Sequence, residues 1–214
     1  MDAILIGSIS ALADTSDMQR EAFNEAFAQH GLDWTWEGQD YRDRLQKSGG
    51  RQRVADYAEE RGQKVNAAQI HADKTEIFQR RIREQGLTIR PETRDLLAHA
   101  ADKGIKTAFV STTLPGTVDA YVEALADQLP KPFDIVLNGE KVGDQKPAPT
   151  PYIMAANQLG VSASDCLAVE DNVQGAESAL AAGATCLAYS NADTETHEFP
   201  GTRPMSDWRE LLGA

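Results

Sequence analysis

The sequence predicts an open α/β sheet of parallel strands, covered by helices on both faces and interrupted after its first strand by a helical insert. Three observations carry this expectation. From residue 91 onward the chain repeats one step: a helix with apolar residues at helical spacing, then a glycine, then a short apolar run. Several of those runs are continuously apolar instead of alternating, the pattern of strands covered on both sides in a doubly wound sheet. Residues 15–86, by contrast, hold long amphipathic stretches and no strand-like run.

Taken in order, AILIGSI near the start is the first strand. Met18, Ala22, Phe23, Ala26 and Phe27 then form one apolar helix face that ends at Gly31, and a more charged run from Ala67 to Gln85 reads as a second long helix. The chain returns to the sheet near Leu87. Pro91 suits the first turn of a helix whose face carries Leu96, Leu97, Ala100 and Ala101, Gly104 suits its C-terminal cap, and IKTAFV follows as a strand. FDIVLN at 133–138 is the next strand. Pro151 to Leu159 with Gly160 leads into CLAVE, and Val173 to Ala182 with Gly183 leads into ATCLAY. The expectation is five strands, a discontinuous α/β domain of residues 1–14 and 87–214, and a helical domain of residues 15–86.

With 214 residues and a net charge of -12, the chain is long enough for one good-sized core and repels polyanions over its surface as a whole. No run concentrates Lys and Arg, so neither nucleic acid nor an anionic membrane is an expected partner. No stretch is long enough to span a bilayer, and the first residues carry Asp2 but no Lys or Arg ahead of their apolar run, unlike a signal peptide. Cys166 and Cys186 lie inside apolar runs, which predicts reduced core thiols and a cytoplasmic setting.

In an open parallel sheet, ligands bind beyond the carboxyl ends of the strands. There the sequence offers Gly7, Ser8, Ile9 and Ser10 after the first strand, and Ser111, Thr112 and Thr113 after IKTAFV. Lys146 follows in QKPAP, and Glu170 and Asp171 close CLAVE. A hydroxyl and a lysine suit a phosphate, and an acidic pair suits a hard divalent ion. Each also has an ordinary structural reading. Ser111 can finish a strand and cap a helix, Lys146 can be a solvated surface lysine, and Asp171 or Asn172 can cap the helix beginning near Val173.

The order of the segments DTSDMQREAFNEAFAQHGLDW, FVSTT, KPAPTPYIMAANQLG and CLAVEDNVQGAESALAAGA resembles the haloacid dehalogenase (HAD) superfamily. Within it they resemble the CbbY-like and β-phosphoglucomutase-like sugar-phosphate phosphatases. LDWTWEGQDYRDRLQKSGGRQRV resembles the cap of that subfamily. The resemblance implies a HAD-like core with a helical cap, Mg²⁺ as cofactor, a phosphorylated small molecule such as a sugar phosphate, Ser111, Thr112 and Lys146 at its phosphate, and Asp171 and Glu170 at the metal. Lys47, Arg51, Arg53 and Lys74 fall where cap residues of the subfamily meet substrate, although basic residues on a solvated helix face are the bland alternative. Trp34 and Trp36 are read as cap packing.

The resemblance also implies a nucleophilic aspartate at the end of the first strand and an acid/base aspartate two residues on. Counting back from the Ala-Asp-Thr at Ala13 to Thr15 places Gly7 and Ile9 at those positions. Glycine cannot form a covalent intermediate, and isoleucine neither donates nor accepts a proton. Losing a hydrolase nucleophile costs on the order of 10⁶ in rate. Mg²⁺ would keep Asp171, Glu170 and the Ile9 backbone carbonyl, a weak set. The expectation is a non-catalytic relative that binds a phosphorylated metabolite or a protein partner; the alternative is a weak phosphoric monoester hydrolase working by a non-standard route.

Overall fold

The computed structural model describes residues 1–45 and 49–214. By its internal contacts the chain divides into two compact units, one of Met1–Asp14 with Leu87–Ala214 and one of Thr15–Gly86.

The first unit begins with β1 (Ala3–Ile6) and the one-turn helix α1 (Ile9–Leu12). The second unit holds α2 (Ser16–Gln29), α3 (Gly38–Arg44), α4 (Gly50–Glu60) and α5 (Ala67–Gln85). The first unit then resumes with α6 (Pro91–Lys103), β2 (Lys106–Val110), α7 (Pro115–Leu125), β3 (Ile135–Leu137), α8 (Gly139–Val142) and α9 (Thr150–Leu159). It closes with β4 (Cys166–Glu170), α10 (Val173–Ala181), β5 (Thr185–Ala188), β6 (Arg203–Pro204) and α11 (Trp208–Leu212).

All strand pairs are parallel, in the order β3-β2-β1-β4-β5-β6. Beside the five strands expected, β6 adds a two-residue edge that carries no apolar run and is defined by its pairing with Leu187 and Ala188. Ala3, Leu5, Ala108, Val110, Cys166, Ala168 and Cys186 pack with Tyr152, Ala155 and Ala156 of α9 and Ala176 and Ala179 of α10. Ile4, Ile6, Phe109, Leu167 and Val169 alternate to the other face and are equally buried. Burial on both faces is why these strands read as unbroken apolar runs. Gly104 and Gly160 end α6 and α9 in the left-handed region, with φ of 67° and 68°, where a Cβ would be strained.

The helical unit packs α2 and α4 against α5 around an aromatic cluster. Trp36 lies with ring centroids 4.8 Å from Phe23 and 4.7 Å from Phe27, and Trp34 lies 5.2 Å from Phe27 and 5.1 Å from Tyr57. Both tryptophans are buried, so they form this unit's core. Asn66 starts α5 by accepting the Gln69 N–H at 3.2 Å. Cys166 and Cys186 are buried free thiols, and burial pushes them up to about 11 and about 12. Among the described residues, no helix is long and apolar enough to cross a membrane.

Candidate functional site

Strand register brings the site residues of the α/β unit together. Ile6 pairs with Phe109 on one side and Val169 on the other, so Gly7 emerges level with Val110 and Glu170. Its N–H donates to Val169 O at 2.9 Å. The strand stops at Ile6 instead of continuing to Ile9, because Ser8 caps α1 by accepting the Ala11 N–H at 3.1 Å. Strand alternation therefore says nothing about where Ser8 and Ile9 point, contrary to the simple reading of AILIGSI as one strand. The Ile9 carbonyl, a candidate metal ligand on sequence grounds, accepts the Ala13 N–H at 2.9 Å within that short helix.

Lys146 and Glu170 form the centre of the site. Lys146 Nζ donates to Glu170 Oε1 at 2.5 Å, to Val110 O at 3.0 Å, and to Gly7 O. Tyr152 Oη donates to the same Glu170 oxygen at 2.5 Å, and Asn172 Nδ2 reaches its other oxygen at 3.2 Å. Glu170 and Tyr152 are both completely buried. Burial pushes the Glu170 carboxyl up and Asp171 adds to this, while the Lys146 charge pulls it back. Burial and the neighbouring carboxylate push Tyr152 far up, so its hydroxyl stays a donor. Lys146 is no solvated surface lysine; its ammonium faces one carboxylate, two carbonyls and, at 3.4 Å, Tyr152 Oη.

The seat of the Glu170 carboxyl is made by two glycines. A Cβ built on Gly7 would overlap Tyr152 Oη and the Glu170 carboxyl, and one built on Gly175 would overlap that carboxyl from the other side. Neither Tyr152 nor Gly175 was singled out from the sequence. The only local signals were a tyrosine directly after the prolines that follow Lys146, and a glycine inside a helix, where it costs about 1 kcal/mol relative to alanine.

Asp171 is buried beside this network. Its Oδ1 accepts from Asn172 Nδ2 at 3.0 Å and its Oδ2 from Asn191 Nδ2 at 3.2 Å. Asn191 is held in that orientation because its Oδ1 accepts the Asp193 and Thr194 N–H groups at 2.9 and 3.1 Å. The capping role on α10 falls to Asn172, which accepts the Gly175 N–H at 2.8 Å. Ser111 is buried at the end of β2, donating its N–H to Leu137 O at 3.2 Å and accepting the Thr113 N–H on Oγ at 3.1 Å. Among the described residues its hydroxyl proton has no acceptor, so it is left to donate. Thr112 is half-buried next to it.

These residues do not fit a magnesium ion. Mg²⁺ demands near-octahedral oxygen ligands and usually one or two carboxylates open to it. Position 7 has no side chain, Ile9 offers none, Glu170 is turned into its seat, and both Asp171 oxygens carry amide donors. Among the described residues, no three His, Cys, Asp or Glu side chains are grouped to hold a metal.

The helical unit carries its own cluster of cations. Lys74 is buried on α5 with Nζ 4.7 Å from the ring centroids of both Phe23 and Phe78, and it donates to Gln19 Oε1 at 3.2 Å. Burial, and then the Arg53 charge, lower its pKa from 10.5 to about 7. His71, one turn earlier, is lowered to about 4 by burial and by Lys74, Arg53 and Arg51. Arg53 donates to Arg44 O at 2.9 Å and is itself lowered by burial. Arg51 is exposed on α4. Lys47 lies outside the described residues.

The profile of the haloacid dehalogenase-like hydrolases matches residues 5–183. The chain is 34% identical to protein CbbY of Cereibacter sphaeroides over 100% of its own length and 95% of that protein's. It is 33% identical to protein CbbY of Rhodobacter capsulatus, covering 98% and 92%. A crystal structure of CbbY from Rhodobacter sphaeroides in complex with phosphate superposes with a TM-score of 0.83 at 34% identity, covering 99% of this chain and 96% of that one. A mutant of the same protein in complex with xylulose-1,5-bisphosphate superposes equally well. The β-phosphoglucomutase of Clostridium difficile, at 16% identity and a TM-score of 0.70, shares the fold. The chain belongs to the haloacid dehalogenase-like hydrolases, as a CbbY-like member with the HAD-type parallel sheet.

Proposed function

We propose that this CbbY-like protein binds a phosphorylated sugar and does not hydrolyse it. The observation that carries the reading is at position 7: the space a nucleophilic side chain needs is taken by Tyr152 Oη and the Glu170 carboxyl. Ile9 supplies no acid or base, and Lys146 is committed to Glu170. With these groups, no covalent phosphoryl intermediate forms and no leaving oxygen is protonated.

Two features support anion binding. Ser111 keeps a hydroxyl proton at the strand ends, beside Thr112. In the helical unit, Lys74 is buried among neutral and cationic groups, with no carboxylate ion pair among the described residues. Burying a cation in that setting is costly, and a phosphate would relieve the cost. The bisphosphate held by the related CbbY makes xylulose-1,5-bisphosphate the first probe.

The test is paired. Calorimetric titration with xylulose-1,5-bisphosphate is expected to show binding that Lys74→Met abolishes, while a phosphate-release assay with Mg²⁺ shows nothing above the protein-free rate. Release that disappears in Lys146→Ala would establish a working hydrolase of non-standard mechanism. An absence of binding across a sugar-phosphate panel would remove the ligand half of the proposal.

A further inference from the structure

We propose that the side-chain space at position 7 is filled from within: Gly7 is a steric requirement of the Glu170–Tyr152–Lys146 network, and that network makes the protein indifferent to divalent cations. It rests on the same crowding at position 7 that the proposed function uses; unfolding without any sugar phosphate tests that crowding and the response to metal, and its failure leaves the sugar-phosphate binding half of that reading standing.

Removing an aspartate side chain from a buried strand end leaves a hole lined by polar groups, and a buried lysine without a counter-ion beside it. Here the hole is filled. The Glu170 carboxyl lies in the space that a Cβ of either Gly7 or Gly175 would enter, and Tyr152 Oη fills the remainder of the position-7 side. In that seat one Glu170 oxygen satisfies both Lys146 and Tyr152, and Asn172 takes the other. The buried charge of Lys146 is thereby neutralised from inside the protein.

The consequence for metal follows from the same geometry. A carboxylate held between two glycines and bonded to an ammonium, a phenol and an amide has no reason to leave for a hydrated cation. Asp171, the other acid, has amide donors on both oxygens, one of them from Asn191, whose orientation is locked by the Asp193 and Thr194 backbone. An ammonium, a phenol and two amides thus compete with a cation for these carboxylate oxygens.

Thermal unfolding of a four-member cycle tests this: the natural protein, Gly7→Ala, Tyr152→Phe and the double variant, each in 10 mM MgCl₂ and in EDTA. Gly7→Ala adds one methyl against the network, and overpacking of that kind lowers Tm by about 3–10 °C for a chain of this size. In the Tyr152→Phe background, where the hydroxyl is gone and Glu170 has room to shift, the same substitution is expected to lose less than half as much. Equal losses in both backgrounds, or a Gly7→Ala Tm within 1 °C of the natural protein, would overturn the steric claim. If Gly7→Ala does not fold but the double variant does, the coupling is established; if neither folds while Tyr152→Phe alone does, removing the hydroxyl has brought no relief and the steric claim is overturned. The natural protein is expected to show the same Tm, within 1 °C, in MgCl₂ and EDTA. A saturable rise with Mg²⁺ that is lost in Asp171→Asn would overturn the claim of indifference to metal.

Discussion

Replacing Lys74 by methionine separates stability from binding, and the size of the effect follows from the site. Lowering the lysine from 10.5 to about 7 corresponds to a penalty of roughly 5 kcal/mol on the charged form in the folded protein. The Phe23 and Phe78 faces, each 4.7 Å from Nζ, return about 1–2 kcal/mol apiece in a desolvated setting. Methionine keeps the apolar stem and removes the charge. The expected net gain is therefore about 1–3 kcal/mol, or roughly 2–10 °C in Tm. The pH dependence has a definite sign. Because the folded pKa is lowered, the unfolded chain holds the extra proton between about 7 and 10.5, so the natural protein gains stability as pH rises through that window. The advantage of Lys74→Met is then full below pH 7 and shrinks toward pH 10.5. Differential scanning calorimetry at pH 6 and pH 9.5 reads both quantities. A lower Tm for the variant at pH 6, or a difference that does not shrink at pH 9.5, would refute the reasoning.

Other outcomes follow from the same geometry. Gly7→Asp alone is expected to restore no phosphate release, because Tyr152 and Glu170 occupy the side-chain position; measurable turnover would show that the network yields. Lys146→Met strands the buried Glu170 and is expected to destabilise by about 3–5 kcal/mol in urea, with Lys146→Met/Glu170→Gln losing less. His71, lowered to about 4, takes up a proton on unfolding between that value and 6.5, so stability falls as pH drops through this window; His71→Leu should flatten the acid limb of a Tm-versus-pH curve. Arg90 donates to Ser10 O at 3.2 Å, Tyr189 O at 2.8 Å and Ser190 O at 2.7 Å, and Arg90→Ala is expected to cost about 2–4 kcal/mol by denaturant unfolding.

Much of the fold was legible because its signals are local. Continuous apolar runs marked strands buried on both faces, and Gly104 and Gly160 marked helix ends that need a left-handed residue. What escaped was set by partners far along the chain. The edge strand β6 has only two residues and no apolar pattern, and exists through its ladder with β5. The end of β1 at Ile6 depended on the Ser8 cap, which competes with a strand that the apolar run alone would extend.

The candidate site divides along the same line. The residue types at each strand end, the absence of acid at Gly7 and Ile9, and the framework of Ser111, Lys146, Glu170 and Asp171 are statements about composition and order, so one sequence suffices for them. Where the Glu170 carboxyl points is a different matter. Gly7, Tyr152, Glu170 and Gly175 meet only when parallel strands align and α9 and α10 pack on one face, and the choice between facing a metal and filling the glycine void is made by volume and charge in three dimensions. Sequence alone determined which residues stand at positions 7 and 9; only the tertiary structure decided what lies against them, because packing around a buried position is a property of neighbours and not of any one segment.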